Sequence, residues 1–168
     1  MPATYEPIAT TTLTATTDPV TFSSIPGTYT DLIAVVSPIA TAGNYDLSIR
    51  FNSDTGTNYS WTGMLFNADN SGSAYSSRGT NTTFIPTLTN VTLVNPYPAI
   101  IHIQNYANTS MNKTIISRIA RETYAVAEVA GMWRNTSAIT SVSFTLTGGG
   151  STTFKVGAVF TLYGIKAA

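Results

Sequence analysis

Cysteine is absent from the 168-residue sequence. That removes disulfides, thiolate metal sites and thiol nucleophiles together. Histidine occurs once, at His102, so a structural zinc site built on histidine and cysteine is excluded. Charge is scarce as well. Asp, Glu, Lys and Arg make up 10% of the residues, eight acids against eight bases, where a globular chain carries roughly a quarter. Phosphate backbones demand a basic surplus, so no nucleic-acid partner is expected. No apolar run approaches the ~18–20 residues that span a bilayer, and no membrane partner is expected either. No basic-then-apolar segment opens the sequence, so no signal peptide is expected.

Hydroxyls and amides stand where charge is missing: 30 Thr, 16 Ser and 12 Asn. Threonine is β-branched and suits an exposed strand face. A chain of this length is expected to form one domain, able to bury roughly 70% of its unfolded surface without a metal or disulfide. A net charge of zero favours association.

Period-two patterning dominates. Tyr45, Leu47, Ile49 and Phe51 alternate with Asp46, Ser48, Arg50 and Asn52, as one buried and one polar strand face. Asp31–Ser37 (DLIAVVS) reads as a strand covered on both faces. Phe154–Tyr163 alternates again. Further strands are expected near Thr10–Thr16, Val20–Ser24, Tyr59–Phe66, Val91–Val94, Ala99–Tyr106, Lys113–Ala120, Ala125–Arg134 and Ser141–Leu146, separated by Gly, Pro and Asn breakers. Many short strands with regular turn signals predict an all-β fold, a jelly-roll-like β-sandwich over residues 13–168. Residues 1–12, with Pro2 and Pro7 and few apolar positions, read as an extended N-terminal arm.

Few residues carry recognisable chemistry. Asp54-Thr55-Gly56 has the aspartic-protease triplet, but such enzymes need two carboxylates sharing a proton on buried loops. Here a polar run follows. Asn52, Asp54 and Asn58 are spaced like calcium ligands, yet only one is charged and no acid closes the loop. The triplet is therefore expected to be a hairpin turn in which Asp tolerates the bend and Gly supplies positive φ. His102, between Ile101 and Ile103, has no nucleophile and acid beside it in sequence and reads as a strand histidine facing solvent or a neighbour. Glu122 and Glu128 are a weak candidate acid pair for sugar hydrolysis. Neither a catalytic residue, a metal nor a cofactor is assigned. Aromatic and arginine residues favour interfaces. On that ground Tyr5 and Ile8 in the arm, and Trp61, Tyr75 and Arg78 around an expected exposed loop, Ala68–Thr83, are the candidate interface residues.

Six stretches, taken in order, carry a resemblance: YEPIATTTL (Tyr5–Leu13), FSSIPGTYTDLIAVVS (Phe22–Ser37), LSIRFNSDTGTNYS (Leu47–Ser60), IIHIQNY (Ile100–Tyr106) with Ala107-Asn108, GMWRNTSAITSVS (Gly131–Ser143) and FTLYGIKAA (Phe160–Ala168). Together they resemble small virion structural proteins of tailed bacteriophages, of the kind frequent in cyanophage and marine phage genomes. The resemblance implies a non-enzymatic virion component. The first expectation is a capsid decoration, or cement, protein that binds the major capsid protein on the outer head surface as a homotrimer. The alternative is a tail-fibre or receptor-binding module that meets host polysaccharide.

Overall fold

The computed structural model describes residues 4–41, 44–67, 74–92, 97–120, 125–148 and 152–166. Among them the fold is all-β. Its twelve strands are β1 (Tyr5–Thr12), β2 (Val20–Phe22), β3 (Asp31–Ser37), β4 (Asn44–Phe51), β5 (Tyr59–Asn67), β6 (Ala74–Thr82), β7 (Ile85–Thr92), β8 (Ala99–Gln104), β9 (Lys113–Ala120), β10 (Ala125–Trp133), β11 (Val142–Thr147) and β12 (Val159–Ile165). They form two antiparallel sheets packed as a sandwich. One has eight strands in the order β1-β12-β3-β8-β9-β10-β5-β6, the other four in the order β2-β11-β4-β7. The sandwich is the expected class. An eight-and-four division does not establish the jelly roll, which is an eight-stranded arrangement of two Greek keys.

Strand alternation builds the core. Leu32, Ala34 and Val36 of β3, Ile101 and Ile103 of β8, Ile115 and Ile119 of β9, and Phe160 and Leu162 of β12 all turn inward and are buried. From the smaller sheet Leu47, Ile49, Phe51, Val142 and Phe144 meet them. Aromatic rings tie the layers at two points. Phe51 lies 5.7 Å from Trp133 and 6.4 Å from Tyr59, and Phe144 lies 5.5 Å from Phe160. Such contacts contribute beyond the area they bury. Gly131 leaves room for this packing: a Cβ there would stand 2.5 Å from Ile85 Cγ2.

Three local expectations are corrected. The expected extended arm is, over Tyr5–Thr12, an edge strand of the sheet, paired with β12 from Tyr5↔Ile165 to Thr12↔Val159. Its hydrogen bonds come from the backbone, which Pro2 and Pro7 disguise in the sequence. The expected exposed loop Ala68–Thr83 is strand β6 from Ala74 onward, paired with β5; residues 68–73 lie outside the described residues. The Asp54 turn is not a hairpin. Strand β4 belongs to the four-stranded sheet and β5 to the eight-stranded one, so residues 52–58 form an arch between the layers. Positive φ falls on Asn52 (51°) and Ser53 (55°) rather than on the glycine. Gly56 is needed for space: a Cβ would lie 2.9 Å from Asn58 Nδ2 and 3.0 Å from Asp54 Oδ1.

Candidate interaction face

Alternation has a second consequence. Every strand of the eight-stranded sheet sends alternate side chains away from the core, and many of these are apolar. Of the ten large apolar side chains exposed among the described residues, seven lie on this outer face: Tyr5, Met64, Phe66, Ile100, Ile116, Val126 and Met132. The register sets them in rows. One row runs Pro7, Tyr163, Ile33, His102, Ile116, Ala130, Thr62, Arg78 across all eight strands. The next runs Val35, Ile100, Arg118, Glu128, Met64. The apolar rows thus hold a charge pair, Arg118 directly across from Glu128. His102 Nε2 lies 2.8 Å from Asp31 Oδ2, and Asp31 Oδ1 accepts from Asn105 N at 2.7 Å. His102 is therefore a strand histidine held by a neighbour, as its flanking isoleucines suggest.

Two shallow hollows lie side by side on this face and share Ile116. One, of about 450 Å³, lies among Tyr5, Ile33, Ile100 and His102. The other, of about 580 Å³, is floored by Ala130 and walled by Arg78 and Met132. Exposed apolar surface gathered in this way makes this face the candidate interaction site. The face spans seven inter-strand gaps of ~4.8 Å and strands of ~7 residues at ~3.4 Å each, a projected area on the order of 800 Å². That is about what one partner contributes to a stable interface.

The opposite surface, outside the four-stranded sheet, has another chemistry. Thr21, Ser143 and Arg50 stand in one row, with the Thr21 and Ser143 hydroxyls 2.8 Å apart. Asp18 accepts from Thr145 Oγ1 at 2.9 Å and from Leu146 N at 3.0 Å. Burial pushes the Asp18 carboxyl up from its ordinary value, against those two hydrogen bonds and the nearby Arg50 charge.

The candidate residues divide between these surroundings. Tyr5 is exposed on the apolar face, at the β1 edge. Arg78 lines the larger hollow at the β6 end. Trp61 is partly buried against the core, its Nε1 sealed without a partner. Ile8 packs against the core and is not a free anchor. Tyr75 is exposed, but it pairs with Leu65 and so points away from the apolar face. The structure keeps Arg78 and Tyr5 on the apolar face, at opposite edges of the sheet, and turns Trp61, paired with Gly131 and Gly79, to the inner side. Sequence reasoning missed Ile100, Ile116, Val126, Met132, Met64 and Phe66. The signal was present in AIIHIQ and KTIISRIA, where apolar residues occupy both parities of one strand.

The Asp54 arch is a hydrogen-bond hub. Asp54 accepts from Gly56 N at 2.8 Å, Asn58 Nδ2 at 2.9 Å and the indole Nε1 of Trp133 at 2.7 Å. Burial raises its pKa, but the three donors together prevail and hold it below the ordinary value. Asn52 Oδ1 accepts from Thr140 N and Ser141 N. N–H donors aimed at these oxygens suit a self-satisfied corner; a calcium ion there would face donors where it needs acceptors. Phe51 N donates to the Tyr59 hydroxyl, which itself donates to Asp54 O. Burial pushes the Tyr59 pKa up to about 12. Among the described residues no three His, Asp or Glu side chains gather into a metal-ligating group. Glu128 faces Arg118 on the outer sheet, and Glu122 lies outside the described residues.

No family model, curated protein or solved structure matches the chain. The class defined by fold and surface is an antiparallel β-sandwich with one apolar and one hydroxylated outer face.

Proposed function

We propose that this protein is a non-enzymatic structural component of a tailed-phage virion, a capsid decoration protein that binds the major capsid protein on the outer head surface as a homotrimer. The observation that carries the reading is the asymmetry of the sandwich. A decoration protein needs one face that loses water against the particle and one that keeps it. The outer face of the eight-stranded sheet offers the first, with Ile100, Ile116, Val126 and Met132 exposed around the opposed charges of Arg118 and Glu128. The Thr- and Ser-lined face offers the second. The six-stretch resemblance to phage virion proteins points the same way, and the zero net charge suits a partner other than DNA.

Copy number tests the reading. Quantitative mass spectrometry of purified virions is expected to give about one copy per major capsid subunit. A ratio lower by one or two orders of magnitude assigns the protein to the tail, and absence from the particle removes both virion readings. The face is tested separately by Ile116→Asp, an exposed change expected to abolish binding to undecorated particles while circular dichroism stays unchanged.

A further inference from the structure

We propose that the hydroxyl-lined hollow outside the four-stranded sheet is a binding site for a neutral saccharide. The hollow measures about 430 Å³ and takes in Asp18, Thr21, Arg50, Ser53, Thr55 and Ser143. That lies within the ~300–1,000 Å³ common for small-ligand sites. The proposal is independent of the virion reading, because it concerns the other side of the molecule.

A carboxylate and a guanidinium line the hollow without closing on each other: among the described residues the acid-to-base side-chain contacts within 4 Å are His102–Asp31 and Lys166–Glu6. Each group is held from behind. Asp18 is fixed by Thr145 Oγ1 and Leu146 N. Arg50 donates from Nε to Thr83 O at 2.9 Å, with its guanidinium carbon 5.8 Å from the centre of the Phe84 ring. Collapse of the two charges would sacrifice those contacts, so the space between them stays open. It presents a pure acceptor at one side, a pure donor at the other, and a floor of hydroxyls able to act as either.

A ligand matching this pattern needs adjacent groups that donate and accept at once. Vicinal sugar hydroxyls do so: one donates to Asp18 while its neighbour accepts from Arg50, both charge-assisted bonds. The Thr21 and Ser143 hydroxyls, 2.8 Å apart, turn toward whatever remains. An anion would meet the Asp18 carboxylate, and a cation the Arg50 guanidinium. A zwitterionic amino acid matches the charges but not the hydroxyl floor. Among the described residues no aromatic side chain lines the hollow, so the affinity is expected to be weak, with Kd on the order of 1 mM.

The test is a titration of the full chain with neutral mono- and disaccharides, read by amide NMR shifts, with glycine and a sialic acid as charged comparisons. At least one neutral sugar is expected to shift the amides of Thr21, Thr55 and Ser143 saturably. Thr55→Trp, which fills the hollow without removing a bond to Asp18 or Arg50, is expected to abolish those shifts. Asp18→Asn is expected to weaken binding by ~10-fold or more, the loss of a charge-assisted bond. The proposal is overturned if no neutral sugar moves these amides, if glycine or the sialic acid moves them and sugars do not, or if the shifts survive Thr55→Trp.

Discussion

Replacing Asp54 with alanine unlocks the corner that joins the two sheets. Three donors lose their acceptor, but they do not count equally. Gly56 N and Asn58 Nδ2 stand at a partly exposed turn and recover water. The Trp133 indole is only 1% exposed, so its N–H is left unsatisfied at about 1–3 kcal/mol. With the smaller terms from the turn, the expected loss is about 3 kcal/mol. Domains hold roughly 5–15 kcal/mol in total, and at this length each kcal/mol moves Tm by about 2–4 °C. Asp54→Ala should therefore lower Tm by about 6–12 °C, measured by circular dichroism and by tryptophan fluorescence. Trp133→Phe removes the donor instead, and the double variant should lose clearly less than the sum of the two single ones. Proton linkage supplies a second readout. The folded-state pKa of Asp54 lies below its ordinary 3.8, so its contribution is complete above 3.8 and fades as pH falls through the folded value. The stability gap between wild type and Asp54→Ala should then be flat near neutrality and narrow below pH 3.8. A gap under ~1 kcal/mol, or one equally wide in strong acid, would falsify the account of the corner.

Three further outcomes are expected. Lys113 is fully buried, its ammonium donating to Met111 O at 2.7 Å and Thr136 O at 3.0 Å, and burial holds its pKa below 10.5. Between the folded value and 10.5 the folded chain binds fewer protons than the unfolded one, so stability rises with pH across that window; urea titrations should show the rise in wild type and its loss in Lys113→Met. Gly131→Ala places a methyl group 2.5 Å from Ile85 Cγ2 and 2.9 Å from Cδ1 in the core, which should cost about 1–3 kcal/mol by overpacking, seen as a lower urea midpoint at unchanged slope. Deletion of residues 1–12 strips β1 from β12 and should lower Tm and promote aggregation by baring a new sheet edge; a truncated chain as stable and soluble as the parent would show that this pairing adds nothing to the fold.

How much of this was legible in the sequence depended on how each segment is buried. Strand β4 was plain because one of its faces is sealed: Tyr45, Leu47, Ile49 and Phe51 are all buried and alternate strictly. Strand β3 reads as covered on both faces, but only its inward Leu32, Ala34 and Val36 are sealed; Ile33 and Val35 stand half-buried on the open outer face of the sheet. Strand β6 was invisible, since seven of its nine residues are exposed and no apolar period survives in AYSSRGTNT. Backbone pairing, which composition does not record, makes it a strand. Sheet membership was equally hidden. The same Asp-Thr-Gly turn chemistry serves a hairpin within one sheet or an arch between two, and the choice is made by Trp133, 79 residues away from Asp54. The apolar face was partly written in the chain, because Ile100 and Ile116 break the polar parity of their strands. Deciding that they share one surface required the register.

The edges of the two sheets differ in chemistry from the apolar outer face. An unpaired strand edge invites indiscriminate pairing with other chains, and each of the four edge strands carries a device against it. Strand β1 has Pro7, without an N–H, and a register shift between Pro7 and Ala9. Strand β6 bulges against β5 at Tyr59/Ser60, with Asn81 at a φ of 55°. Strand β2 is three residues long and directly follows Pro19. Strand β7 contains Pro86 and pairs with β4 through two register shifts. The chain thus blunts its hydrogen-bonding edges while leaving the outer face of the larger sheet apolar. Random aggregation would be limited by treating both alike. On the proposed reading, treating them differently would restrict association to side-chain packing across one face, where the register of Arg118 and Glu128 would discriminate between partners. Complexes formed this way should bury apolar area without extending the sheet. Their formation should show a negative heat-capacity change and no gain of β signal in circular dichroism. An increase in strand content on assembly would mean that the edges, and not the face, make the contact.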